Sequence, residues 1–237
     1  MIFKTMNIWD HLGELRKRLL ICIYVLLAGL PVGAFLVNPV IAWLSKPVGE
    51  LVFVQPMEAF TAQLEIAVGV SFLIGLPVLL YQIWSFVALG LKDNERNYLR
   101  RIIPAVYLCF MLGVAFSTFW VFPRAVEFLL TLKSKHLVPM LSVESYLKFY
   151  MMLCFAFGIL FQLPIVLHFL AKIGILKPDV LMKHRKISYF LIFLAATIFN
   201  PVPEVLTQLV LAGAAIALFE ISIMLVRWEH RKKSTPQ

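Results

Sequence analysis

Long apolar runs separated by short polar stretches leave this chain few ways to fold. Residues 19–37, 62–83, 102–122, 147–171 and 205–226 each come close to, or exceed, the roughly 20 apolar residues that carry a helix across a bilayer. Hydrophobic residues make up 61% of the 237 and charged ones 15%, against about 45–50% and about 25% in soluble domains. One water-facing core cannot hide that much apolar surface, so lipid is the solvent. A sixth run, 187–199, has only thirteen residues. As a helix it would reach about 20 Å into ~30 Å of hydrocarbon, which implies local thinning of the bilayer or a recess in the protein. The expected fold is all-α: one polytopic membrane domain over 1–237, with six transmembrane helices.

The polar stretches give the spans their order and sides. Before the first span, Ile8, Leu12, Leu15 and Leu19 form one stripe among Glu14, Arg16, Lys17 and Arg18, an amphipathic helix lying on the membrane surface and running into the span. Pro39, Pro47 and Pro56 punctuate 38–61, read as an ordered loop with short helices and Trp43 at headgroup depth. Pro31 and Pro77 are expected kinks, and Pro123 is expected to close the third span. Val126, Phe128, Leu129, Leu130 and Leu132 suggest an interfacial helix, Ser142-Val143-Glu144 the approach to the next helix, and 227–237 a basic tail with a disordered end. Of the 22 Lys and Arg residues, 17 fall in the N-terminal segment, 92–101, 172–186 and the tail. Six spans with both termini in the cytoplasm then satisfy the positive-inside rule, which also accounts for the net charge of +9 without a nucleic-acid partner. The N-terminus lacks the pattern of a cleaved signal peptide.

Catalytic signals are poor. No HExxH, GxSxG or Gly-rich phosphate loop occurs, Ser71 follows Gly69 without a second glycine, and His168 stands by itself in an apolar run. Cys22, Cys109 and Cys154 are too dispersed for a CxxC pair and read as small apolar residues, so neither metal nor other cofactor is expected. A secondary transporter of a small solute is the alternative class, with Gln162, Glu204 and Gln208 as its polar candidates, although the halves show no repeat.

The stretch from Tyr81 to Arg101 is more telling. It leaves one apolar run through Tyr81, Trp84 and Phe86, turns polar, and enters the next at Arg100-Arg101. Glu95 stands there beside Arg96, as Glu14 stands among Arg16, Lys17 and Arg18. A carboxylate matches a guanidinium bidentately, so an arginine-bearing peptide is one partner for such acids. Internal pairing, Glu14 with Arg18 at i, i+4 for example, is the other.

Taken in order, HLGELRKRL (11–19), LPVLLYQIWSFV (76–87) with NER (94–96), FGILFQLPIV (157–166), PEVLTQ (203–208) and FEIS (219–222) resemble the TatC family, the multi-spanning subunit of the twin-arginine protein translocase. The resemblance covers essentially the whole chain. It implies a bowl-shaped, non-enzymatic receptor without a cofactor, which takes folded cargo by its twin-arginine signal peptide and exports it with the proton-motive force. It implies a signal-peptide site at Glu14 and Glu95, bordered by Phe86, with Arg16 and Arg96 alongside. It implies contacts with single-span TatA and TatB type subunits at Gln162, Glu204, Gln208 and Pro47, within a larger, homo-oligomeric complex. The family usually has Glu at Gln162 and Asp at Glu204; a glutamine keeps the hydrogen bonding of that position without its proton.

Overall fold

The structure, a computed structural model, describes residues 8–49, 51–87, 93–131, 141–174, 176, 183–199 and 205–234; within these, the side chains of 8–11, 93–100, 198–199, 206–207 and 228–234 fall outside the description. The helices are α1 (Ile8–Phe35), α2 (Val37–Ser45), α3 (Glu58–Val87), α4 (Asp93–Phe116), α5 (Phe122–Thr131), α6 (Val143–Leu160), α7 (Leu163–Lys172), α8 (Arg185–Phe199) and α9 (Val205–Ser234). A π-helical turn, Ser117–Val121, joins α4 to α5. Among the described residues, five stretches are long and apolar enough to cross a membrane: Leu12–Phe35, Glu58–Val87, Arg101–Thr131, Val143–Lys172 and Gln208–Arg227. α8 has 15 described residues, about 22 Å of helix. The amphipathic opening and the first span form one helix, α1, with Pro31 inside it.

The chain packs as two compact units, 1–44 with 60–107 and 45–59 with 108–237. In the first, α1 and α3 cross almost backbone to backbone. Gly29 and Gly33, one turn apart, are buried on α1 against Ser71 and Ala67 of α3, the small-xxx-small pattern that lets membrane helices approach. A Cβ on Gly33 would lie 2.8 Å from both the Cα and the carbonyl carbon of Ala67. At this crossing the fully buried Ser71 donates its hydroxyl to the Leu26 carbonyl at 2.5 Å. Pro31, between the two glycines, has no N–H to give to the Leu27 carbonyl one turn back.

In the second unit α4 meets α6 in the same way: a Cβ on Gly113 would come within 2.9 Å of the Phe157 carbonyl carbon, and one on Gly158 would enter the ring of Phe110. The π-turn follows, and here the structure corrects the expected end of the third span. Pro123 does not close the helix, which continues to Thr131. The backbone N–H of Phe122 reaches back to the Ser117 carbonyl, so the proline falls where the ladder returns from i−5 to i−4 bonding and its missing N–H costs least. The wide turn points Thr118 at α6, within 3.1 Å of the Tyr150 hydroxyl and 3.5 Å of the Cys154 thiol. Phe122 packs edge-on against Tyr146 and Tyr150. α5 is also less interfacial than its composition suggests, since Ala125 and Val126 are buried; Leu132 lies outside the described residues.

One further boundary differs from expectation. The fourth span is broken at Phe161-Gln162 into α6 and α7, because Pro164 has no N–H and its ring crowds the carbonyl four residues back. The first part of the basic tail continues α9 as helix to Ser234; 235–237, where a disordered end was expected, lie outside the described residues. α9 packs on α7 and α8, with Phe219 and Ile223 against Leu167, Leu176, Tyr189 and Ile192.

Candidate functional site

Helical spacing sets Glu14 and Arg18 one turn apart on α1, where opposite charges meet. Arg18 donates Nη2 to Glu14 Oε1 at 3.0 Å, and its Nη1 lies 3.4 Å from Gln82 Oε1 on α3. The Arg18 side chain is 16% exposed and that of Glu14 33%. Arg16 and Lys17 face outward. Phe86 is half-buried one turn beyond Gln82, on the same side of α3. Glu95 and Arg96 occupy the first turn of α4; their side chains lie outside the described residues. So the first unit brings Glu14, Arg18 and Gln82 together, with Phe86 along the same helix face. The internal Glu14–Arg18 pair left open above does form. Sequence reasoning passed over Gln82, although an amide inside the apolar run 76–87 was the available signal.

The polar residues assigned to partner subunits lie in the second unit and mostly fasten helices. Gln162 stands at the break in the fourth span, its Nε2 3.4 Å from the Gly158 carbonyl one turn back on α6. Gln208 of α9 donates to the Phe193 carbonyl at 3.2 Å and to Thr197 Oγ1 at 2.7 Å, pinning α8. Pro47 is exposed in a turn closed by Val48 and Gly49 N–H on the Ser45 carbonyl, where Gly49 has φ +82°. Glu204 lies outside the described residues. Ser71, the serine weighed for catalysis, spends its hydroxyl on helix packing.

Two acids were missed. Glu220 of α9 accepts from Arg185 Nη2 at 2.5 Å and from the Tyr189 hydroxyl, both on α8. Glu58, 7% exposed, opens α3. Its Oε2 accepts the Val54 N–H at 2.7 Å and its Oε1 the Ser142 hydroxyl at 3.2 Å. Ser142 caps α6 by accepting from Ser145 N–H, as its place before Val143 suggested. Beside it, Val52 N–H reaches the Leu141 carbonyl at 3.2 Å and Val143 N–H the Val52 carbonyl at 3.0 Å. The segment before α3 and the one before α6 are thus tied by backbone and carboxylate alike.

These features define an all-α polytopic membrane protein whose described polar side chains mostly hold helices and loops, with the Glu14–Arg18 pair partly exposed on α1. The family described as Sec-independent protein translocase protein (TatC) matches residues 10–213. The TatC protein of Carboxydothermus hydrogenoformans is 34% identical over 229 residues, 95% of this chain and 94% of that one. That of Aquifex aeolicus is 36% identical over 240 residues, 98% and 99% of the two chains. The crystal structure of a "Twin Arginine Translocase Receptor- TatC" superposes with a TM-score of 0.79 at 36% identity, covering 91% of this chain and 98% of that one. The chain belongs to the TatC family. It is a subunit of the Sec-independent protein translocase, a multi-pass protein of the inner membrane and a transport component rather than an enzyme.

Proposed function

We propose that this chain is the receptor that takes up twin-arginine signal peptides at the cytoplasmic face and assembles with TatA and TatB type subunits to export folded proteins on the proton-motive force. The observation that carries this reading is the Glu14 carboxylate holding a guanidinium at 3.0 Å at a partly exposed site; Phe86, half-buried one turn beyond Gln82, is its proposed border. A site that already accepts one arginine has the chemistry to accept another from a peptide. Glu95, with Arg96 beside it and Arg16 near Glu14, supplies the second carboxylate in this reading. The related solved structure is that of a twin arginine translocase receptor, which supports the same assignment. Gln162, Gln208, Glu204 and Pro47 are the proposed positions of subunit contact.

Photo-crosslinking from position 95 tests the reading. A peptide carrying two arginines is captured and its Lys-Lys version is not; equal labelling of the two refutes it. Glu95→Ala abolishes export of twin-arginine cargo while folded protein persists in the membrane, and unaffected export removes Glu95 from the site.

A further inference from the structure

Arg18 presents to Glu14 the same chemical group that the proposed ligand would bring. We propose that Arg18 is a resting occupant of the signal-peptide site: it holds Glu14 when no ligand is bound, gives way to the incoming arginine, and so sets how tightly a peptide must bind to be accepted. This inference rests on the receptor reading above and adds a regulatory residue to that site.

Three observations point to displacement and not to a fixed structural bond. The pair joins neighbours one turn apart on α1, one side chain being a third exposed, and such pairs are weak. The grip on Arg18 is incomplete, because the reach to Gln82 is long at 3.4 Å and the buried Nε makes no hydrogen bond among the described residues. An unmet buried donor costs stability, so the bound position of Arg18 is not deeply favoured. Third, sharing is electrostatically poor. Arg16, Lys17 and Arg18 all flank this one acid in sequence, and two guanidiniums on one carboxylate would repel each other by more than a weak helix pair is worth. Release of Arg18 is therefore the cheaper route. A site whose competent form is only partly populated binds with an affinity lowered by that fraction, and Arg18 supplies the competing state.

Charge alone also acts on a cationic ligand, so the test holds charge constant. In Arg18→Lys the cation stays, but an ammonium cannot bridge Glu14 and Gln82 as the planar fork does. The full-length protein in nanodiscs is titrated with a fluorescent peptide bearing Arg-Arg and with its Lys-Lys version, by anisotropy. In the wild type, preference for Arg-Arg that falls in Glu14→Gln establishes the receptor reading by itself. Given that, Arg18→Lys, which keeps an i, i+4 pair with Glu14 but loses the tether to Gln82, is expected to tighten both peptides about two-fold, with their ratio unchanged. Gln82→Ala removes the other tether of Arg18 and moves affinity the same way, which keeps the test decisive should Arg18→Lys fold poorly. Weaker or unchanged binding in these variants overturns the resting-occupant role while leaving the receptor reading intact. No Arg-Arg preference in the wild type overturns both.

Discussion

Gly33→Ala should separate α1 from α3, and the size of the effect can be worked from the crossing. The added methyl would sit 2.8 Å from two backbone atoms of Ala67 and closer still to its oxygen, whereas carbon contacts are comfortable at about 3.5–4.0 Å. Backbone cannot rotate aside, so the helices must part by roughly 1 Å. Overpacking of this kind costs about 1–3 kcal/mol. The Ser71–Leu26 hydrogen bond, 2.5 Å in this structure, would stretch past useful length, and bonds of this type between membrane helices are worth about 0.6–1.7 kcal/mol. Alanine's better helix propensity returns up to about 1 kcal/mol, leaving a net loss of about 1–4 kcal/mol. Reversible unfolding in mixed micelles, followed by circular dichroism, measures it. The control lies one turn away. A Cβ on Gly29 would meet the side chain of Ser71, with its Cβ at 3.0 Å, and a side chain can be removed. Ser71→Gly should therefore rescue part of Gly29→Ala, a coupling of about 1 kcal/mol, and should not rescue Gly33→Ala. A Gly33→Ala protein as stable as the wild type, or equal rescue at both positions, would refute the close crossing.

Two further outcomes follow from the second unit. Glu58→Ala strips the Val54 N–H and the Ser142 hydroxyl of a charged acceptor, costing about 1.5–3 kcal/mol, whereas Glu58→Gln keeps an acceptor and loses less; equal losses in thermal unfolding would show that the carboxylate is not what holds these segments. Gln208→Leu frees α8 from α9 and should cost about 0.6–1.7 kcal/mol. Unchanged stability combined with lost export would mean that the amide serves a partner subunit instead.

Hydropathy made the long helices legible because crossing lipid demands length and apolarity together, and Ser142 was legible because a helix start needs an acceptor in a fixed place. Pro123 and Pro164 show the limit of such reading. Both lack an N–H, yet a π-turn absorbs one and the other breaks its span, a difference that lies in the neighbouring ladder and not in the residue. The site was half legible. Glu14 stood out as an acid among cations, but whether its partner was internal depended on side-chain geometry. Gln82, Glu58 and Glu220 had no local signature strong enough, since each acts on a residue far away in sequence: 64 positions for Gln82 with Arg18 and 84 for Glu58 with Ser142.

The tie between Glu58 and Ser142 also constrains how this protein comes into being. Glu58 opens α3, and the rest of α3 with α4 and α5 lies between it and Ser142, a stretch holding two segments, Glu58–Val87 and Arg101–Thr131, long and apolar enough to cross a membrane as a hairpin. Neither the hydroxyl–carboxylate bond nor the Val52–Val143 backbone pairing can close until that whole hairpin has been inserted and both segments have emerged on the same side. A chain whose middle hairpin entered the wrong way would leave Glu58 exposed and its neighbours unpaired. The knot therefore records that the membrane was crossed the right number of times, and it is complete only when α6 has begun to follow.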